Sequence, residues 1–576
     1  MQKLIQVDPR RPFPRKFLPK AADMGDWSQI EPLFTALLQR NVPSAEELEQ
    51  WLLDYSELSA ALNEEMAKRY IAMTTQTDDP VREAAYQKFV EQIVPKYKPL
   101  IQALEKAYLE NPHRRSLPAD RYAVMNRMIE SNVALFREEN VPLETQQALQ
   151  TKEYQKLSGA MTVMVDGEER TLQQAAKSLE DPDRRVRQQV WEAIADRRLQ
   201  EKEALERLYE QLLALRKQIA ANAGFADYRA YSFQQHQRFD YGPEECFQFH
   251  DAVERAVLPL VQKIHIERRK LLQVETLRPW DLGTDPLNRP PLRPFSTTEE
   301  LVQGAREIFT RVDPALGEQF GFMVEQQLLE LESRKGKAPG GYQETLQERR
   351  WPFIFMNAVG RDLDIRTLLH EGGHAFHMLA AREEPLIYYR HAPMEFCEVA
   401  SMSMELLATP HLDVFYKNPE DRNRAYRAKL EDFILIFPWI ATIDAFQHWV
   451  YTHPGQTRDE RAQAWRQIHS RFSAVVDWSG YEEQRTYLWH RQLHLYEVPF
   501  YYIEYGIALI GALQVWMRSR TDYRDAVERY WTALSLGGTR PLPELFAAAG
   551  ARFSFDYDTL KPLMDAVGEE LSRIGN

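Results

Sequence analysis

The chain is poor in cysteine, with two in 576 residues, Cys246 and Cys397, far apart. That argues against a secreted fold stapled by disulfides and fits a reducing compartment. Positive charge is in deficit too. The formal net charge is −13, whereas nucleic-acid binders carry a basic face, so no nucleic-acid partner is expected. The first seventeen residues contain no apolar core of signal-peptide length. Long uninterrupted apolar runs are also missing. Phe433 to Thr442 is short and contains Pro438, and Val498 to Trp516 is interrupted by Pro499, Glu504, Gly506, Gly511 and Gln514. A membrane span needs ~20 predominantly apolar residues with few or no charges, so both stretches read as buried helices. The glycine-rich stretch Gly336-Lys-Ala-Pro-Gly-Gly-Tyr342 lacks the GxxxxGK[ST] spacing of a phosphate-binding loop. The expectation is a cytoplasmic protein with no membrane partner, a monomer or weak homo-oligomer.

What is present is mostly amphipathic helix. Val186, Val190 and Ile194 recur at helical spacing after Asp181-Pro182, a suitable helix start. Glu201 to Ala221 is a second long helix, stopped by Asn222-Ala-Gly224. Strand signals are few. Met161 to Leu172 reads as a hairpin turning at Asp166-Gly167, and Pro352 to Asn357 is an apolar run too short for a helix. Leu277 to Phe295 holds five prolines and reads as an ordered loop. The length calls for two or more subdomains.

The chemistry concentrates in Asp364-Ile-Arg-Thr-Leu-Leu-His370-Glu371-Gly-Gly-His374-Ala-Phe-His377. On a helix each residue turns ~100°, so His370 and His374 lie ~40° apart, one turn from each other. Two imidazoles so placed can share one tetrahedral zinc. Glu371 falls in the neighbouring sector, where a carboxylate can act as general base on a water molecule without being a ligand. Chance yields only a few hundredths of such a motif, on the order of magnitude, in a chain with 14 histidines. Gly372-Gly373 costs the helix ~1 kcal/mol per residue against alanine, which makes sense if something approaches the backbone closely. His377 lies a full turn beyond the pair and reads as a packing or orienting histidine.

Two histidines leave zinc short of a ligand. Downstream, Glu395, Glu398 and Glu405 line one face of a helix running from Met394, and on pattern alone any of them could complete the set. Here the sequence resembles the thimet-oligopeptidase and oligoendopeptidase F family of zinc metallopeptidases. The resemblance rests on the histidine motif followed, 28 residues after His370, by Phe396-Cys-Glu398-Val-Ala-Ser401. It extends over at least Leu215 to Tyr505 and is nearest the bacterial oligoendopeptidase F branch. It implies Glu398 as third ligand of one zinc per chain, with Glu395 and Glu405 as supporting acidic positions.

The resemblance also implies a mainly α, two-lobed zincin-type fold with a deep substrate channel and a few short strands near the active site. Residues 1–200 would be a helical region with a short hairpin, and residues 201–576 the catalytic domain. His494, Tyr502 and Tyr505 match family positions that donate hydrogen bonds to substrate, with Tyr501 beside them as a substrate contact. Their spacing from His494 is about one residue shorter than in the mammalian pattern, so that a further family tyrosine falls on Val498. Pro352 to Gly360, including Asn357 and Gly360, could offer an edge strand to a peptide backbone. The implied activity is endopeptidase action on short unstructured peptides. A carboxypeptidase or dipeptidyl carboxypeptidase on the same motif is the close alternative, and a non-catalytic peptide-binding protein the distant one.

Overall fold

A computed structural model of the chain describes residues 7–473 and 475–575; residues 1–6, the start of the stretch read for a signal core, lie outside them. Helix accounts for 69% of the structure, and the strands among the described residues are five short ones. The fold class is therefore mainly α. The elements used below are, in chain order, α1 (Ala45–Thr75), β1 (Thr162–Val165), β2 (Glu168–Thr171), α2 (Arg184–Gln200), α3 (Lys202–Asn222), α4 (Pro243–Ala252), β3 (Leu329–Glu332), β4 (Tyr342–Leu346), β5 (Trp351–Ala358), α5 (Asp362–Ala380), α6 (Met394–Leu407), α7 (Phe437–Thr452) and α8 (Ile503–Ser519).

Contacts divide the chain into two compact units. The first comprises residues 1–133, 292–426 and 508–553, and the second residues 134–291, 427–507 and 554–576. Neither is one continuous stretch, a different division from the sequence regions 1–200 and 201–576.

Local signals account for most elements. Asp166 and Gly167 both have positive φ, 54° and 80°, as a two-residue hairpin turn of the inverse type requires. β1 and β2 pair antiparallel from Thr162↔Thr171 to Val165↔Glu168. α2 begins at Arg184, two residues later than Pro182 suggested. The Asp183 side chain accepts from the Arg185 N–H and so caps the helix. α3 ends as expected, with Gly224 at φ 85°. Pro419–Thr452 is long and apolar enough to cross a membrane, but 72% of its apolar window is buried in protein. It is divided at Ile436 between two helices, and Pro438 sits in the first turn of α7.

The three-stranded sheet of the first unit has the order β3–β5–β4. β5 runs parallel to β3 and antiparallel to β4. The edge-strand expectation for Pro352 to Gly360 is thus corrected: this strand is central, with both backbone edges paired, and cannot take a peptide along its edge. Asn357 Nδ2 donates to the carbonyls of Ala338 and Gly340 at 2.9 Å each, pinning the glycine-rich loop. Lys337 Nζ fixes the same loop through the carbonyls of Glu330, Glu332 and Met356. Gly360, at φ 88°, makes the reversal from β5 into α5 in a conformation open mainly to glycine.

α5 starts where Asp364 turns back and accepts the N–H groups of Val359 and Arg361, each at 2.8 Å. With Asp362 it also places negative charge in the first turn, where the helix dipole favours it. Leu368, Leu369, Ala375, Phe376 and Leu379 are at most 2% exposed, so the motif helix is a core helix.

Candidate metal centre

α6 packs directly against α5, and glycine sets how closely. A Cβ on Gly373 would lie 2.6 Å from Ser401 Cα and 2.7 Å from the Ala400 carbonyl oxygen, while one on Gly372 would meet the Phe309 ring tip at 2.6 Å. Gly373 therefore faces backbone, which cannot step aside, and its helix cost is explained by this contact. The Tyr530 hydroxyl donates to the same Ala400 carbonyl at 2.8 Å and holds α6 from behind.

The close approach brings His370 and His374 of α5 to Glu398 of α6. Their ligand atoms all lie within 4.8 Å of one another. Glu398 Oε2 stands 3.4 Å from His370 Nε2 and 3.8 Å from His374 Nε2. On the far side of the first ring, Glu405 Oε1 is 2.9 Å from His370 Nδ1. A carboxylate there accepts a hydrogen bond from Nδ1–H and turns Nε2 toward the cluster, the arrangement that orients metal-binding histidines elsewhere. Ser401 Oγ donates to Glu398 Oε2 at 2.9 Å and fixes the carboxylate. Glu395, Glu398 and Glu405 are at most 7% exposed, so the acidic face is not an ordinary solvated one. Of the three, only Glu398 belongs to the donor set.

The electrostatics suit a cation. Burial works against charge on His370, but the carboxylates of Glu398 and Glu405 outweigh it and raise its pKa to about 10. Burial likewise pushes Glu398 up, but the two imidazoles and Ser401 hold it at about 2. Burial lowers His374 to about 4, so it presents a lone pair at neutral pH. His370 holds an extra proton against these carboxylates, which a metal ion would displace; the His370 and His374 nitrogens then converge with the buried Glu398 oxygen as a donor set that fits zinc with one position left open.

Glu371, beside His370, is 7% exposed. Burial raises its carboxyl to about 7, and the Gln343 N–H from β4 hydrogen-bonds it. His377 is not part of the cluster. It is buried with its ring edge-on to Phe396 at 5.9 Å, and burial takes its pKa down to about 3.

The second unit holds the aromatic segment. The His494 ring lies 4.8 Å from Tyr502, 5.9 Å from Tyr501 and 6.0 Å from Tyr505, centroid to centroid. Trp439 Nε1–H, which can only donate, gives its hydrogen to Gln492 Oε1 at 2.8 Å. Gln492 Nε2 must then be the donor to His494 Nδ1, at 2.7 Å. His494 consequently carries its proton on Nε2, and burial lowers its pKa to about 4, so it is a neutral donor. Burial raises the Tyr502 phenol, which stays protonated. His490, in the same stretch of sequence, is structural: its Nε2 meets Glu206 at 3.1 Å.

Sequence reasoning missed Gln492, Trp439 and the Gln343 N–H; the Trp439 and Gln343 partners are remote in sequence, and Gln492, two residues before His494, carries no periodic signal. Ser401 was detectable, since a position three residues beyond Glu398 shares its helix face.

The packing gives a first expected result. Gly373→Ala should push α5 and α6 apart, lower stability by ~1–3 kcal/mol as overpacking does, and weaken metal retention. Gly372→Ala should do less, because a ring tip can swing. Denaturant unfolding and elemental analysis of both variants check this; wild-type values for Gly373→Ala would show that the helix contact does not set the site.

The family model described as peptidase family M3 matches residues 178–564, and that of the peptidase M3 N-terminal domain matches residues 21–136. An oligoendopeptidase F homolog of Borreliella burgdorferi is 24% identical over 303 residues, 50% of this chain and 49% of that protein. Oligopeptidase PepF of Bacillus subtilis is 21% identical over 314 residues, 54% of this chain and 46% of that protein. The matches thus span about half the length of these curated relatives. Among solved structures, PZ peptidase A with an inhibitor superposes with a TM-score of 0.88 at 30% identity, covering 97% of this chain and 99% of that one.

Proposed function

Since the chain belongs to peptidase family M3, we propose that it is a zinc-dependent endopeptidase that hydrolyses internal bonds of short, unstructured peptides. The observation that carries this reading is the convergence of His370, His374 and Glu398 with Glu371 beside them. His370, His374 and Glu398 would hold one zinc ion, which when bound supplies Lewis acidity toward the scissile carbonyl and acidifies water. Glu371 takes the proton of the attacking water and passes it to the leaving amine. The Gln343 N–H fixes that carboxylate, and Glu405 keeps the His370 ring turned for ligation. By family resemblance, His494 Nε2–H and the phenols of Tyr502 and Tyr505, with Tyr501 adjacent, donate to the negative charge developing on the carbonyl oxygen. Gln492 and Trp439 keep the His494 proton on that nitrogen. Asn357 and Gly360 support substrate binding through the loop and the turn they fix. Glu395 and His377 pack behind the site. Two free, buried cysteines fit the expected cytoplasmic location.

The tyrosines carry their own test. Tyr502→Phe and Tyr505→Phe keep the ring and delete the hydroxyl. At least one should give a folded, zinc-loaded enzyme with kcat reduced ~10²–10³-fold and KM nearly unchanged. Wild-type turnover in both, and in Tyr501→Phe, would place the oxyanion donors elsewhere. Endopeptidase action is tested by mass spectrometry of products from a peptide blocked at both termini. Internal cleavage is expected; failure to cut it, with removal of C-terminal residues from an unblocked peptide, would favour the carboxypeptidase alternative.

A further inference from the structure

A second cluster of metal-binding side chains lies in the second unit, and the chemistry above does not use it. Cys246 and His250 stand one turn apart on α4, and Asp444 and His448 one turn apart on α7. This is the same i, i+4 spacing that joins His370 to His374, here repeated on two packed helices. All four residues are at most 3% exposed. Ligand atoms of Cys246, Asp444 and His448 lie within 4.8 Å of one another. Asp444 Oδ2 is 2.8 Å from His250 Nε2 and 3.4 Å from His448 Nε2. The rings of Phe247, Phe249, Phe472 and Phe500 stand against the two imidazoles.

Independently of that grouping, one buried polar atom of the cluster, Asp444 Oδ1, makes no hydrogen bond, and His448 Nε2 has only the 3.4 Å contact with Asp444 Oδ2. Buried polar atoms are almost always satisfied, so each exception calls for a partner. With the ring deprotonated at Nε2 and the carboxylate ionised, both present lone pairs that a cation can take. We infer that Cys246, Asp444 and His448, with His250 beside them, form a second cation site, selective for a divalent metal of the zinc class. The donor set decides the class: a thiolate and an imidazole favour zinc over magnesium or calcium, which take oxygen ligands. Thiolate and carboxylate together carry two negative charges, which one dication neutralises. With every donor buried, the site is structural: it clamps α4 to α7 and offers no position to substrate. The expected metal content rises from one to two per chain.

The competing arrangement is a hydrogen-bonded network without metal. In it His250 Nε2 and His448 Nε2 donate to Asp444 Oδ2, at 2.8 and 3.4 Å, and Arg229 Nη1 donates to His448 Nδ1, a contact of 3.4 Å that is long for a hydrogen bond. Ligation through His448 Nε2 requires the proton on Nδ1, so the Arg229 contact would have to open.

Zinc X-ray absorption on the full, unsubstituted chain, with elemental analysis of the same sample, separates the two. The His370 site contains no sulfur, so a zinc–sulfur path at ~2.3 Å can come only from a cysteine site. The expected result is two zinc ions per chain and a sulfur path. Cys246→Ala should lose the path and one zinc while keeping peptide cleavage, whereas Cys397→Ala, which removes the only other thiol, should change neither. One zinc or less per chain with no sulfur path, or a path that survives Cys246→Ala, overturns the inference. Should Cys246→Ala fail to fold, the unsubstituted spectrum together with that of Cys397→Ala decides the matter.

Discussion

Glu371→Gln should yield a folded chain that keeps its zinc, binds peptide with nearly unchanged KM, and turns over about 10²–10⁴-fold more slowly. Glutamine has the shape of glutamate, so the packing of this buried position on α5 survives. Its amide oxygen can still accept the Gln343 N–H that the carboxylate now accepts. What disappears is the proton acceptor. A base contributes only as the transition state forms, so the loss falls on kcat. The donor set His370, His374 and Glu398 is untouched, and elemental analysis should therefore find wild-type zinc. Zinc lost along with activity would mean that Glu371 is a ligand, and the roles would have to be redrawn.

The second large effect concerns the glutamates of α6. Glu398→Ala should strip the catalytic zinc under dialysis that leaves the wild-type site filled. It removes the only anionic donor among the three and leaves two imidazoles, one of them without its 3.4 Å carboxylate neighbour. Glu405→Ala should be milder, a ~10–100-fold loss of affinity, because it only frees the His370 ring. Glu395→Ala should retain the metal. Equal retention of this zinc in all three variants would refute the assignment of Glu398.

The histidine pair was legible because helical spacing alone puts positions four apart on one face. The hairpin was legible because Asp166-Gly167 can hold two positive φ angles in succession. The choice among three glutamates was not readable from spacing, since all share one buried face. What selects Glu398 is how α6 lies on α5, and that depends on Gly373 meeting Ala400 and Ser401. The paired glycines hinted at a close approach without saying to what. The strand at Trp351–Ala358 was recognisable from its apolar run, but its central position was not. Its neighbours β3 and β4 read Leu-Glu-Leu-Glu and Tyr-Gln-Glu-Thr-Leu; the first alternates as a strand should, but both are too short for the pattern to stand out. The Trp439 end of the Trp439–Gln492–His494 relay was out of reach for a different reason: a hydrogen bond between residues 53 apart leaves no periodic trace.

The most direct test of the account is cleavage of an internally quenched peptide by the chain as purified, after dialysis against a chelator, and after zinc is returned. Cleavage should be lost with the zinc bound at His370, His374 and Glu398 and come back when zinc is restored. A chain with no detectable zinc that cleaves the peptide at its original rate would contradict it.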